Sequence, residues 1–517
     1  MTQQINNIVI VGGGSAGWMT AASLVTQFPD KKITVIESPN IPSIGVGEST
    51  VGGLRNWLKM VGIKDKDFIA GTDATYKLAI KFNNFHNLGS NTWYYPFGDP
   101  YIKENIHNRD DWFLKKALYP NTTTHDYVDS YYPQMALVNS NKITDDSLDN
   151  FNLSKDSAFH FDAVKFGLWL RDKFCKPKGV EYIADEVVNV LHDENGISTL
   201  VLESSKTISA DLFVDCTGFS SLLIGKALNT PFKDYSHILT NNRAWAVQLA
   251  YTDKERQLNA VTECSALDNG WVWHTPLWSR IGSGYVYSDK YITPEQAKED
   301  FIKHLSSKGF DTTNSTFRDL KMRVGIHEKL WVKNVVAIGL SAAFLEPLES
   351  TGLLTVHDFA TNLCRTLSRG SISQWDRDEF NLKCHDEFNY WAQFVVMHYA
   401  LSSRSDSQYW RDIAGNSHIE HFQELNQLQT QSLYHQSIYA KGFKRALQED
   451  NGVQCLAAGM NWNPLDLPIL RNQFSLETNL KEKFDLVVNG LHQRKQRWKR
   501  AVETAPSCYQ YLKDNFY

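Results

Sequence analysis

The stretch Ile8-Val9-Ile10-Val11-Gly12-Gly13-Gly14-Ser15-Ala16-Gly17-Trp18-Met19-Thr20-Ala21-Ala22 decides the fold. An unbroken apolar run stops at glycines and gives way to helix-forming residues, the pattern of a buried strand, a tight turn and a helix. Gly12, Gly14 and Gly17 occupy the positions of a GxGxxG fingerprint. There the missing Cβ atoms allow the turn, the approach of backbone to a pyrophosphate, and close helix-on-strand packing. Ser15 and Ala16 lie inside the motif, at a helix start whose free N–H groups face the phosphates. About twenty residues further on, the run Ile33-Thr34-Val35-Ile36 ends in Glu37, where a carboxylate accepts the hydroxyls of an adenosine ribose. A glycine turn alone is only a turn; strand, helix and terminal acid together read as a dinucleotide site.

Working outward, 517 residues suffice for a large core and more than one lobe. A formal net charge of −5 gives no general attraction to nucleic acid or to an anionic membrane. The N-terminal apolar run breaks at once into glycine, so it reads as a strand and neither as a signal peptide nor as a membrane span. Seven scattered cysteines without a CxxC pair argue against a disulfide framework and a zinc site and suit a reducing cytoplasm.

Ile44-Gly45-Val46-Gly47-Glu48-Ser49-Thr50 is a second glycine-punctuated loop leading into a helix expected over 51–61. The alternation in Thr75-Tyr76-Lys77-Leu78-Ala79-Ile80-Lys81-Phe82 predicts one strand with Lys77, Ala79 and Lys81 on the same face. Lys77 then either points into a pocket or is an ordinary solvated lysine. Trp93-Tyr94-Tyr95-Pro96-Phe97-Gly98-Asp99-Pro100 reads as an aromatic loop suited to a flat apolar ligand, or as a loop tucked on the surface by its own rings.

Helical spacing over 161–170 is followed by a strand meander over 181–215 that ends in Asp215-Cys216-Thr217-Gly218. The dinucleotide lobe is therefore discontinuous. A second, antiparallel sheet is expected over 240–295, with Trp271 and Trp273 on one face of a strand. Val335 to Gly339 returns the chain to the first lobe. In the turn that follows, Glu349 precedes Ser350, Thr351 and Gly352, which present N–H groups to an anion at a helix start. From about 356 onward the pattern is helical, and the basic run over 493–500 reads as a solvated helix face.

Taken together these segments resemble the flavin-dependent halogenases, in particular the tryptophan-halogenase branch, over nearly the whole chain. Gly12 to Trp18 is similar to the family's FAD fingerprint. Gly270-Trp271-Val272-Trp273-His274-Thr275-Pro276 is similar to its WxWxIP motif, with Thr275 in place of isoleucine. Phe344, Pro347, Ser350 and Gly352 fall at the spacing of a further motif, and the segment from Ser403 to Arg411 is also similar.

The resemblance implies an α/β fold: an FAD-binding Rossmann-like (GR2-type) lobe with an antiparallel sheet over 1–355, and a mainly helical lobe over 356–517 that covers the substrate. It implies that reduced FAD and oxygen convert a halide to hypohalous acid. Lys77 would then hydrogen-bond that acid or carry the halogen as an N-halo-amine, with Glu349 as its partner and Thr351 and Gly352 at the halide. The alternative for Glu349 is a carboxylate that merely favours a helix start. Gly12, Gly14, Ser15, Ala16, Gly17, Glu37, Gly47, Glu48, Ser49, Thr50, Val187, Asp215 and Gly339 would touch the cofactor. Tyr95, Pro96, Phe97 and Ser350 would line the substrate pocket, and Trp271 and Trp273 would keep substrate from the flavin.

Tyr95 stands where members acting on free tryptophan carry histidine, and their amino-acid clamp has no clear counterpart between Ile438 and Trp462. The expected substrates are thus electron-rich aromatics such as indoles and phenols, not only free tryptophan. One dinucleotide fingerprint implies a separate flavin reductase and no NAD(P)H site. A homo-oligomer stays open. So do two other functions, a single-component flavin monooxygenase and a catalytically silent flavin-binding protein.

Overall fold

A computed structural model of the chain describes residues 3–41, 48–89, 92–102, 111–414, 451–461 and 478–517. Strand Asn7–Val11 lies inside a six-stranded sheet, with Lys32–Glu37 on one side and Leu212–Asp215 on the other, all three parallel. Glu181–Ala184 extends the sheet beyond Lys32–Glu37, and Val335–Ala337 extends it beyond Leu212–Asp215, again in parallel. Trp331–Val332 closes that edge in antiparallel register. Ile8 and Ile10 are fully buried, as is Val9 to within 1%, because a parallel sheet is covered on both faces and its strands read as continuous apolar runs. Strands drawn from five separate parts of the chain build this sheet.

Helix Ser15–Gln27 leaves the first strand through Gly12, whose φ is +112°. A Cβ on Gly17 would sit 1.9 Å from the Gly12 carbonyl oxygen, so the helix reaches this depth only with glycine there.

The second sheet has seven strands in the order 318–321, 243–249, 281–287, 270–276, 261–267, 79–83 and 92–96. All its neighbours are antiparallel except 261–267 and 79–83, which run parallel. The expected single strand over 75–82 is two strands. Thr75–Lys77 pairs with Ala158–Phe161 in a small sheet, and Ala79–Asn83 pairs in the large one. At Leu78 between them, the N–H donates to the Ala260 carbonyl and the carbonyl accepts from the Phe97 N–H. Lys77 and Lys81 therefore part company: Lys77 is fully buried, whereas Lys81 is half-buried and pairs with Glu263 at 3.1 Å. The aromatic stretch is likewise no loop at its start. Thr92–Pro96 is an edge strand paired with 79–83, and Trp93 is buried and stacked on Phe82 with ring centres 4.1 Å apart. Its β-branched and aromatic residues suit a pleated, half-buried surface.

The region beyond 350 is helical where it is described. The boundary expected at 355/356 falls inside the continuous helix Thr351–Leu367, which packs against Ser15–Gln27. Strand Ser371–Ile372 also pairs back onto Gln3–Gln4. Helix Gln374–Ala400 and helix Asn451–Gly459 then bring the chain over the 92–96 edge, where Gly459 lies against the Trp93 ring.

The basic run in helix Thr478–Ala501 is not simply a solvated face. Arg494 is buried and donates to the carbonyls of Tyr101 (2.9 Å) and Ser130 (3.1 Å), and Lys495 pairs with Asp126. Arg497 pairs with Asp149, while Lys499 and Arg500 stay exposed. Carboxylates and carbonyls some 350 residues earlier in sequence thus receive this face. Among the described residues no helix is long and apolar enough to cross a membrane.

Gly17→Ala is expected to destabilise the fold by about 1–3 kcal/mol, since backbone rather than a yielding side chain meets the new methyl. A denaturant midpoint equal to that of the parent protein would contradict this packing.

Candidate active site

The dinucleotide cradle sits where the first strand turns into its helix. Gly14 caps that helix with no side-chain hydrogen bond, and the first turn has no acidic residue, so its N–H groups are open to an anion. Ser15 donates to the Ala163 carbonyl at 2.9 Å, and half-buried Ala16 abuts Gly339. Gly339 has a φ of +79°, and a Cβ there would lie 2.7 Å from that of Ala16. The Glu37 side chain folds over Gly13, where a Cβ would meet it at 2.3 Å. Its Oε2 is buried without a hydrogen-bond partner, with Arg171 3.6 Å away, and burial raises its pKa against the pull of that guanidinium. A half-buried carboxylate with one oxygen free of hydrogen bonds, beside an uncapped helix start, fits the ribose and pyrophosphate of FAD.

Val187 opens strand Val187–Asp193, two residues after Asp185, whose N–H donates to the Glu37 carbonyl. Asp215 needs correction. Its carboxylate accepts from the Thr217 N–H and hydroxyl and from the N–H groups of Leu223 and Ile224, and its carbonyl accepts from Ile338 and Ser341. Those bonds occupy it fully, so it shapes the turn after the strand and leaves no group for a cofactor. Gly47 lies outside the described residues. Glu48 and Ser49 form a short strand against Phe161 and His160, and Thr50 exchanges hydrogen bonds with Phe159.

Lys77 ends the small-sheet strand Thr75–Lys77, just before the chain crosses into the seven-stranded sheet, and has no exposed surface. Its Nζ donates to the Thr50 carbonyl and to the Ser350 hydroxyl, each at 2.9 Å, and stands 5.0 Å from the centre of the Phe97 ring. Burial pulls its pKa from 10.5 down to about 7, and the nearby Glu349 charge, with a smaller contribution from Cys264, holds it from falling further. A solvated lysine is thereby excluded.

Glu349 is also wholly buried. Its Oε1 lies 2.7 Å from Nε2 of the equally buried His398, whose Nδ1 is 2.9 Å from the Phe394 carbonyl. The approach to Nε2 is off the ring N–H axis: close enough for an ion-pair contact, yet leaving neither Glu349 oxygen with an aligned hydrogen bond. Glu346, a second buried acid, accepts from Asn241 (2.7 Å) and from the indole N–H of Trp271 (3.1 Å), and burial raises its pKa. That bond anchors Trp271, whose ring centre is 6.1 Å from that of Trp273. Trp273 in turn lies flat over Gly284 on the next strand, where a Cβ would meet its ring at 2.0 Å.

Ser350 adopts a left-handed conformation (φ +58°) and starts helix Thr351–Leu367 without a side-chain cap. Thr351 is buried, and a Cβ on Gly352 would meet nothing within 4 Å, so there is open space beside the first turn. Tyr95 packs on Phe97 and Phe394, both with ring centres 5.8 Å away, and its hydroxyl lies against Gly452. Pro96 and Phe97 are buried beside them, which gives the Lys77 side of the site an aromatic wall. Arg404 forks onto Asp406 and lies 4.4 Å from the Trp410 ring, a staple rather than a site group.

The sequence-level reading omits His398, His160 and Glu346. Glu346 lies three residues before Glu349, between Phe344 and Pro347, but neither histidine carries a local signal.

Residues 7–468 match the tryptophan halogenase family. The tryptophan 6-halogenase ThaL of Streptomyces albogriseolus is 34% identical over 427 residues, covering 80% of this chain and 79% of that one. The solved apo structure of VirX1 superposes with a TM-score of 0.91 at 33% identity, covering 99% of this chain and all of that one. A flavin-dependent halogenase of Xanthomonas campestris gives a TM-score of 0.85 at 27% identity, covering 99% of both chains. The chain belongs to the tryptophan halogenase family. It is an enzyme, a flavin-dependent halogenase, whose cofactor is FAD and which uses a halide.

The depressed Lys77 proton affinity is a stability statement. Between pH 7 and 10.5 the folded state binds fewer protons at this residue than the unfolded state, so its burial penalty is full below pH 7 and fades as pH rises towards 10.5. Lys77→Met is therefore expected to raise the melting temperature by a few degrees at about pH 6, with the gain shrinking towards about pH 10. A pH-independent difference in calorimetry would contradict the shift.

Proposed function

We propose that this halogenase acts on neutral, electron-rich aromatics such as indoles and phenols rather than on free tryptophan alone. It would take chloride, bromide or iodide and draw reduced FAD from a separate flavin reductase. The observation that carries the reading is a fully buried lysine between a carbonyl and a hydroxyl, facing Phe97, with an under-bonded carboxylate acting on it.

Bound reduced FAD supplies, with oxygen, the oxidation of halide to hypohalous acid. Gly12, Gly14, Ser15, Ala16, Gly17 and Glu37 hold it at the first helix start, with Glu48, Ser49, Thr50, Val187 and Gly339 nearby. Thr351 and Gly352 hold the halide at the second helix start. Trp271 and Trp273 wall the substrate off from the flavin side, fixed by Glu346 and by the absent side chain of Gly284.

Lys77 receives the hypohalous acid. With a pKa of about 7 it offers at neutral pH both an ammonium that donates to the oxygen and an amine that takes up the halogen. Glu349 accepts the proton lost from the ring, with His398 against it. Tyr95, Pro96, Phe97 and Ser350 line the aromatic side of the pocket. Tyr95 in place of histidine supports neutral substrates, because a buried ammonium or carboxylate needs paired partners. The single glycine fingerprint supports a separate reductase, and seven buried thiols suit a reducing cytoplasm.

The test is a competition: the protein with FAD, a flavin reductase, NADH and each halide, against an equimolar mixture of tryptophan, indole and phenol, with products read by mass spectrometry. Halogenated indole or phenol is expected to form ahead of halogenated tryptophan, as mixed products, and only when the reductase is present. Faster halogenation of tryptophan at a single ring position would overturn the substrate reading.

A further inference from the structure

The Lys77 amine is one end of a line of hydrogen bonds, buried except where it passes through the half-buried Ser49, that the proposed reaction does not use. Its Nζ donates to Ser350 Oγ at 2.9 Å, and Ser350 Oγ donates to Ser49 Oγ at 3.1 Å. Ser49 Oγ is 2.5 Å from Thr262 Oγ1, which is 2.9 Å from His160 Nε2. On the far side of the ring, His160 Nδ1 is 3.1 Å from Thr75 Oγ1, which donates to the Pro276 carbonyl at 2.7 Å. Strands 48–49, 158–161 and 75–77 form one small sheet, Thr262 reaches it from the large sheet, and Ser350 reaches it from the start of helix Thr351–Leu367. His160 and Lys77 have no exposed surface, and Thr75, Thr262 and Ser350 are exposed by 4% or less.

The hydrogens along this line are fixed by its far end. A carbonyl only accepts, so Thr75 spends its one hydrogen on Pro276 and must accept from His160 Nδ1–H. That sets the tautomer and leaves the Nε2 lone pair facing Thr262. Thr262 then donates to Nε2, Ser49 to Thr262, Ser350 to Ser49 and Lys77 to Ser350. Every hydroxyl points the same way, from the lysine to the histidine.

We propose that this line is a proton path that converts the Lys77 ammonium to the free amine, with His160 as the group that receives the charge. One proton leaves Nζ for Ser350 as each hydroxyl passes its own hydrogen onward, and one arrives at His160 Nε2. Lys77 becomes neutral, His160 becomes an imidazolium whose Nδ1–H stays on Thr75, and no other bond changes. Burial and the Lys77 charge both hold His160 neutral at rest. Loss of the Lys77 charge removes the second restraint at the moment of transfer, which couples the two ends. The other titratable groups about the line are Glu349, with His398 against it, and Cys264, all of which face Lys77 or its partner. His160 touches neither substrate nor halide, so it acts only through Lys77.

The inference rests on the assignment of Lys77 under the proposed function, and the experiment separates the two. His160→Gln keeps an oxygen able to accept from Thr262 but cannot take a proton. It is expected to lower the rate of product formation roughly tenfold at about pH 6, where Lys77 is mostly ammonium, and to regain it as pH rises past about 7, where bulk base deprotonates the lysine instead. FAD affinity and hypohalous acid release, read with a chlorination probe in solution, should be unchanged. Thr262→Val breaks the line with His160 intact and should move the pH profile in the same direction. Lys77→Ala runs beside them. If it still halogenates, the assignment of Lys77 falls and the path with it. If it is inactive while His160→Gln and Thr262→Val keep the parent rate and pH profile, only the path falls. Losses in both variants that are equal at every pH and track weaker FAD binding would also overturn it, since they mark a structural role.

Discussion

The buried Lys77 ammonium is the constraint on which the site depends. An isolated charge taken out of water carries a penalty of several kcal/mol, and it persists only where donors and acceptors are fixed around it. Here the Thr50 carbonyl provides that setting from one part of the chain, and the Ser350 hydroxyl and the charge of its neighbour Glu349 provide it from another some 300 residues on. The strand break at Leu78, the antiparallel pairing of 48–49 with 158–161, and the left-handed Ser350 before its helix all serve to bring those three groups together. A penalty only partly offset is also useful, because it leaves the lysine near the point where it exchanges a proton at neutral pH.

The two large sheets divide the labour in physical terms. The parallel sheet offers an uncapped helix start and a Glu37 with one oxygen free of hydrogen bonds, which suit a dinucleotide. The seven-stranded sheet and its helical cover offer aromatic walls and buried acids. Trp271 and Trp273 stand on that second sheet, one fixed by a hydrogen bond to Glu346 and one by the space above Gly284. Their place is set by packing against neighbours rather than by any flexible contact.

Much of the first lobe was legible in the sequence because its signals are local: glycines at set spacing, a strand before, a helix after, an acid at the end of the next strand. The exposure of Lys77 was not legible. Its alternation with Lys81 is genuine up to Leu78, but the break there is made by Ala260 and Phe97, which no window around residue 78 contains. The same holds for the basic run, where Arg494 and Lys495 meet partners near residues 101–130. The strand at 92–96 carried a readable signal in its aromatic and β-branched residues, yet its partner 79–83 was needed to tell a strand from a loop. Asp215 was misread because a carboxylate at a strand end in a nucleotide fold invites a ligand, whereas here four internal donors occupy it. His160 and His398 gained their roles from sheet pairing and helix packing alone.

The most direct test of this account is the proton affinity of Lys77 itself. Lysine side chains labelled with carbon-13 at Cε, followed by NMR against pH in the parent protein and in Lys77→Met to assign the signal, report it without reference to turnover. The account requires the Lys77 signal to titrate near pH 7, far below the solvated lysines. Titration near 10.5, with the bulk of the lysines, would contradict it.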